Sequence, residues 1–191
     1  MYAIVGLGNP GQEYAHTRHN AGFETIDRLA SELGVTYWKN TCGSLLGLAT
    51  IGLADGGVEE VLLAKPQSFM NRSGGPVARI LDEYDVPVDH LIVIHDELDI
   101  PAATVKVKQG GGHAGHNGLR SIIEKTGSRD FLRVRIGIGR PPGRMSVVDY
   151  VLAVPRKDAL DDFSLAVEKG ASAVTSLVVR GLQKTQTEFN A

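Results

Sequence analysis

The stretch IVGLGNPGQEYAHTRHNAGF, residues 4–23, admits two incompatible readings, a nucleotide cradle or a hydrolytic site. Gly6, Gly8 and Gly11, following the apolar run Tyr2 to Val5, fit the G-x-G-x-x-G spacing of a dinucleotide-binding turn. In a working cradle the third glycine opens a helix whose N-terminal amides face the pyrophosphate. Here Pro10 biases Asn9 away from helical dihedrals, and Gln12 to Asn20 is polar and without period. Apolar positions at helical spacing begin only with Phe23, Ile26, Leu29, Ala30 and Leu33 and stop at Gly34, with Asn20 as the expected N-cap. Asp27 stands at about the distance of a ribose-binding acid, but inside that helix instead of at a strand end.

Outward from this stretch, strand-like runs fall at Tyr2 to Gly8, Leu45 to Leu53, Val58 to Ala64, Leu91 to Ile94, Thr104 to Lys108 and Leu132 to Ile138, each bounded by Gly, Pro or Asp. Helical patterns cover Pro76 to Tyr84, Gly118 to Lys125 and a long stretch from about Asp158 to Leu182. Strands interleaved with helices predict an α/β fold, a single-domain three-layer sandwich over residues 1–191 with a mixed, mostly parallel sheet flanked by helices. The short link from Leu53 to Val58 supplies the antiparallel element. The polar tail Lys184 to Ala191 is expected to fray.

A composition of 42% hydrophobic and 22% charged residues is that of a globular domain. The single cysteine, Cys42, leaves no internal disulfide, and no apolar stretch approaches the roughly 20 residues needed to span a bilayer. With no signal-like segment ahead of the first strand, a cytoplasmic enzyme or binding protein is the expected class. The net charge of −2 hides an asymmetry: Pro101 to Met145 holds nine basic residues against Glu124 and Asp130, a net +7, while the remainder carries −9. Such a region is either a polyanion-binding face or two strands with solvated sides, since Lys106/Lys108 and Arg133/Arg135 alternate with apolar residues.

Side chains able to do chemistry gather in four loops or strand ends. These hold Asn9 and His19; Asn71 in KPQSFMNRSGGP; His95 and Asp96 in LIVIHDELDIP; and His113, His116 and Asn117 in GGGHAGHNGLRSI. No serine sits in a nucleophile elbow, and Cys42 lies away from these loops, so direct attack by water is favoured over a covalent enzyme. A neutral imidazole can take a proton from water near pH 7 if a carboxylate fixes its tautomer, and His19 with Asp96 could be that pair. Asn amides can hold a carbonyl or an oxyanion without adding charge. The duller readings are turn chemistry for the Asn residues, a satisfied surface His19, and a capping Asp96. A metal site from His95, Asp96, His113 and His116 is weakened because His95 and Asp96, adjacent on a strand, point to opposite faces.

Five stretches taken together, GLGNPGQEYAHTRHNAGF, KPQSFMNRSG, HDELDIP, KQGGGHAGHNGLRSI and FLRVRIGIGRP, resemble the bacterial-type peptidyl-tRNA hydrolases, in that family's order, from residue 6 to about 150. The resemblance implies an esterase that cleaves the bond between a peptide and the 3′-terminal ribose of tRNA. No cofactor and no metal are implied, and the enzyme is expected to act as a cytoplasmic monomer whose partner is tRNA. It implies His19 as catalytic base and Asp96 as the carboxylate oriented toward it, with Asn9 and Asn71 at the scissile region and peptide. Asn117 would orient water or substrate, His116 would lie beside it, Phe69 and Met70 would line a peptide channel, and Tyr14 would be an aromatic beside the base. Lys106, Lys108 and Arg133 fall on the family's tRNA-binding face. An inactive relative that only binds RNA is the alternative.

Overall fold

A strand buried on both sides reads as an unbroken apolar run, and Tyr2–Gly6 (β1) is one: its residues Ala3, Ile4 and Val5 are wholly enclosed. A computed structural model, which describes residues 1–191, places β1 at the centre of a seven-stranded sheet ordered β2-β3-β4-β1-β5-β7-β6. The other strands are Lys39–Thr41 (β2), Ser44–Gly52 (β3), Val58–Pro66 (β4), Leu91–Glu97 (β5), Val105–Gln109 (β6) and Leu132–Gly137 (β7). β4, β1, β5 and β7 pair parallel in that order; β2 with β3, β3 with β4 and β6 with β7 pair antiparallel. Five strands therefore run one way, and only β3 and β6 run against them.

The alternation of side chains along β1 divides the core in two. Ile4 joins one cluster with Ile26 and Leu29 of Ala21–Glu32 (α1) and Phe163, Val174 and Leu177 of Asp158–Arg180 (α5). Ala3 and Val5 join the other, with Val77 and Ile80 of Gly74–Glu83 (α2) and Leu119 and Ile122 of Asn117–Thr126 (α3). Helices thus cover both faces, giving three layers. Val105, Val107, Val134 and Ile136 belong to the first cluster, and no side chain of β6 or β7 belongs to the second. The opposite face of β6 and β7 carries Lys106, Lys108, Arg133 and Arg135, with Lys106 opposite Arg135 and Lys108 opposite Arg133.

The tail departs from expectation. Leu182–Phe189 forms a helix (α6), and Asn190 beyond it accepts a hydrogen bond from the Val107 N–H and donates one to the Val107 carbonyl, both 2.8 Å. A side-chain amide thereby stands in for a missing neighbour at the open edge of β6. Polar composition suggested fraying; the Asn190 bonds to a strand edge, the buried Thr185–Ser176 hydrogen bond and the packing of Leu182 and Phe189 on the core hold the segment instead. Two short elements were not foreseen: β2, and Val147–Val151 (α4), capped by Ser146, whose Oγ accepts from the Asp149 N–H.

Candidate active site

The chain leaves β1 toward α1 and the β2–β4 side, and leaves β5 toward the β6–β7 side, so a crevice opens above the carboxyl ends of these paired strands. The loops following β1 and β4 converge there with the end of β5. Gly6 and Gly22 make the approach possible: a Cβ on either would overlap the backbone of the other segment, and one on Gly8 would lie 2.7 Å from the Phe23 ring. The Leu7 N–H extends the pairing to the Ile94 carbonyl at 3.0 Å, tying the loop to the strand that carries Asp96. Only a three-residue 3₁₀ turn, Gln12–Tyr14, follows Gly11; α1 begins ten residues later, at Ala21, and the dinucleotide reading ends there. Asn20 precedes α1 but does not cap it with its side chain. Its amide instead accepts from the Asn9 N–H at 2.9 Å and donates to the Asn9 carbonyl at 3.0 Å, bracing the loop across eleven residues.

That brace orients Asn9. Its Oδ1 accepts the Met70 N–H at 2.7 Å, which assigns oxygen to the protein side and leaves the amide nitrogen, without a partner in the chain, for the cavity it lines. The cavity, about 360 Å³, is also walled by His19, Phe69, Met70, Asn71, Asp96, His116 and Asn117. Of the expected substrate residues only Tyr14 is outside it, packed edge-on against Phe69 with ring centroids 6.2 Å apart. The wall is completed by Glu97, Leu98, Ala114 and Gly115 and by an apolar side missed from sequence, Val147, Val148 and Val151 of α4 with Leu152 just after it. Its signal was there to read, since Ser146 followed three residues on by Asp149 at the head of an apolar run is a capping pattern. Arg18, next to His19, donates to the carbonyl of Tyr150 at 3.3 Å and lies over the Tyr150 ring, fixing α4 against the loop.

Three histidines surround Asp96, itself only 3% exposed. His19 Nδ1 donates to Oδ2 at 2.9 Å and His116 Nε2 to Oδ1 at 2.8 Å. His95 Nδ1 meets the Asp96 backbone carbonyl at 2.8 Å from the other face of β5. Each ring then has one nitrogen left over. In His116 that is Nδ1, which accepts the Leu119 N–H as the N-cap of α3. In His95 it is Nε2, buried without a partner; burial, with His116 beside it, pushes this imidazole down to about 3 and keeps it neutral. In His19 it is Nε2, unpartnered on the cavity side. His19 alone can accept a proton from something in the cavity.

Charge reinforces the assignment. Burial opposes the imidazolium of His19, but the charge and hydrogen bond of Asp96 outweigh it and raise the His19 pKa above its ordinary 6.5. Burial likewise opposes the Asp96 carboxylate, yet His19 and His116 hold it well below the usual carboxylate range. His19, Asp96 and His116 also place donor atoms within 4.8 Å of one another, a set that could surround a cation. Their facing nitrogens, however, meet carboxylate oxygens at hydrogen-bond distance, so a metal would have to displace both bonds. His113 is apart from the group, its Nδ1 accepting the Gly115 N–H.

On the basic face, Lys106, Lys108 and Arg135 are half-buried. Burial and the neighbouring Arg133 and Arg135 charges lower the pKa of Lys108. Arg133 corrects the expectation of a surface cation: it is 0% exposed, with its guanidinium bonded to backbone carbonyls. Arg135, two residues on and on the same side of β7, is half-buried, and no hydrogen bond or ion pair engages its guanidinium.

The family model described as peptidyl-tRNA hydrolase matches residues 3–191. A peptidyl-tRNA hydrolase of Kineococcus radiotolerans is 46% identical over 192 residues, covering all of this chain and 97% of the relative. One from Frankia alni is 46% identical over 190 residues, covering all of this chain and 94% of the relative. The crystal structure of peptidyl-tRNA hydrolase from Acinetobacter baumannii superposes with a TM-score of 0.88 at 36% identity, covering all of this chain and 95% of that one.

Proposed function

Since the chain belongs to the peptidyl-tRNA hydrolase family, we propose that it hydrolyses the ester between a peptide and the 3′-terminal ribose of tRNA, using water activated by His19. The observation that carries the proposal is the free Nε2 of His19: of the two histidines that line the cavity, His116 has both ring nitrogens bonded and only His19 keeps one unengaged. Water in the cavity gives a proton to Nε2 as its oxygen bonds to the ester carbonyl carbon. Asp96 stabilises the imidazolium that results. The carbonyl oxygen becomes an oxyanion, and the Asn9 amide N–H₂, aimed into the cavity by Met70, is placed to donate to it. When the bond to the ribose oxygen breaks, the imidazolium returns the proton to that leaving oxygen, giving a peptide acid and a free 3′ hydroxyl.

No metal and no cofactor take part in this reading. Asn71 and Asn117, both exposed at the cavity, are the groups for the peptide: a peptidyl ester offers an amide next to the ester, whereas an unblocked aminoacyl ester offers an ammonium. Phe69, Met70 and the valines of α4 supply apolar contact to the peptide side chains. Lys106, Lys108 and Arg135 track tRNA phosphates, contacts that carry no base information and so serve many tRNAs alike. Burial and the nearby Arg133 and Arg135 charges lower the Lys108 pKa, and a bound phosphate would offset the charge part. No helix is long and apolar enough to cross a membrane. A cytoplasmic monomer is part of the proposal, resting on the family reading alone.

The test is to incubate the chain with peptidyl-tRNA and with unblocked aminoacyl-tRNA, with and without chelator. Chelator-resistant release from the blocked species alone is expected. Tight tRNA binding without release would make the chain an RNA-binding module, and loss of release on chelation would overturn the metal-free mechanism. Lys108→Ala should flatten the log–log salt dependence of tRNA affinity by roughly 0.7–0.9 while leaving kcat near the parent value.

A further inference from the structure

The segment from Gly110 to His116 joins β6 to α3 and brings His116 to Asp96. Within itself it is held only in its second half, where the His113 ring accepts the Gly115 N–H and the His113 carbonyl accepts the His116 N–H. Gly110, Gly111 and Gly115 take positive φ of 72, 96 and 80°, Ala114 takes 47°, and no large apolar side chain is present to bury. Such a chain has close to the greatest backbone freedom available, and ordering it is costly.

Arg133 lies beneath its first half. Its Nη1 donates to the Gly112 carbonyl at 2.5 Å and its Nη2 to the Gly111 carbonyl at 2.6 Å, with a longer bond to the Arg129 carbonyl. The guanidinium stacks 4.6 Å from the Phe131 ring and pairs with no carboxylate. A buried cation without an acid is unusual; here the acceptors are two successive peptide carbonyls, matched by the two prongs of a planar donor. The loop is thus held at both ends, by Arg133 at Gly111–Gly112 and by Asp96 at His116.

We propose that Arg133 is a positioning residue for catalysis. By fixing the Gly111 and Gly112 carbonyls it fixes the path of the glycine loop, and so the delivery of His116 to Asp96 and of Asn117 to the cavity wall. It is not a contact to tRNA. The kinetic part rests on the hydrolase reading above; the structural part does not.

Arg133→Lys keeps the charge but replaces the fork with a single ammonium. On an N-blocked aminoacyl ester of a short oligonucleotide, which lacks the tRNA body, kcat should fall about 10- to 100-fold, as a displaced cavity wall requires. The same factor should appear on full peptidyl-tRNA, and the salt slope of tRNA binding should not change. Amide exchange should quicken from Gly110 to Gly115 and not in β7. A slope flattened by roughly 0.7–0.9, with the short substrate unaffected, would make Arg133 a phosphate contact and overturn the proposal. So would unchanged rates with unchanged loop exchange. If Arg133→Lys does not fold, the parent chain decides by NMR: the Arg133 guanidinium protons should be protected without RNA and unmoved when tRNA is added. Free exchange until tRNA binds would refute the clamp. A parent that hydrolyses neither substrate refutes the hydrolase reading, while the exchange and NMR results still judge the clamp.

Discussion

Two glycine-rich loops border the cavity, and they use glycine for opposite reasons. At the end of β1 and in the loop after it, Gly6 and Gly8 stand where a side chain would strike Gly22 or the Phe23 ring; glycine there lets strand and helix touch. In the loop after β6, a Cβ on Gly112 or Gly115 would meet nothing within 4 Å, and the positive φ of Gly110, Gly111 and Gly115 lets the chain turn. The first loop is held by packing and carries the proton acceptor. The second is held by hydrogen bonds to Arg133 and Asp96 and carries a histidine that orients but does not accept. Rigidity of the base and adjustability of the wall above it are therefore built from the same residue type in different surroundings.

The largest effect expected from this division is at His19. His19→Ala should slow release about 10²–10⁴-fold, roughly 3–5 kcal/mol of barrier, with tRNA affinity near the parent value. Unchanged turnover would remove the distinction between the loops. Next is Gly6→Ala, which forces a methyl into the α1 backbone and should cost about 3 kcal/mol or more, lowering Tm by about 6–12 °C. A Tm within about 2 °C of the parent would show that the first loop is not packed as described.

Much of this was readable before the structure. Unbroken or alternating apolar runs located six of the seven strands, and period-3.6 patterns four of the six α-helices, because those elements bury continuous surface against one another. What escaped was held together from a distance. β2 is three residues of an edge, α4 is a single cap and an Arg18 tether, and α6 is secured by Asn190 reaching Val107. The candidate site was legible as residue types in loops, and His19 with Asp96 as an expected pair. The pattern could not say which arginine of the alternating pair faces outward, since Arg133 and Arg135 share one side of β7 and differ only in what lies above them. Nor could it say that His116 has its second nitrogen tied to α3, which is what leaves the base to His19.

The pH profile sharpens the role of Asp96. Because the His19 pKa is raised, its neutral form fails as pH falls, starting from above 6.5, and kcat/KM should show an acid limb there. In Asp96→Asn the charge that opposes burial is gone, so the limb should move to lower pH while the plateau drops. The stability signs differ between partners. The raised His19 pKa stabilises the fold below about 6.5 and that contribution is lost as pH rises through the folded value. The depressed Asp96 pKa stabilises above 3.8 and is lost as pH falls through its folded value. A limb unmoved by Asp96→Asn, measured as kcat/KM across pH 5–9, would mean that the two groups do not share a proton equilibrium.

The smallest expected effect is the counterpart of Gly6→Ala in the other loop. Gly112 does not have the positive φ of its neighbours, and a methyl there enters open space, so alanine fits the native backbone. Its carbonyl remains free to accept from Arg133. Alanine narrows the unfolded ensemble more than the folded one, and Gly112→Ala should stabilise by about 0.4–1 kcal/mol, raising Tm by about 1–4 °C. Gly115→Ala is the control, because its φ of 80° makes any side chain strained, and it should cost about 1–2 kcal/mol. Thermal melts of the two, read beside kcat, test the contrast between packed and open glycine directly. Destabilisation by Gly112→Ala as large as that by Gly6→Ala would erase it. A tenfold loss of kcat with Tm unchanged would place the demand elsewhere, on conformations the second loop must visit during turnover and that alanine denies it.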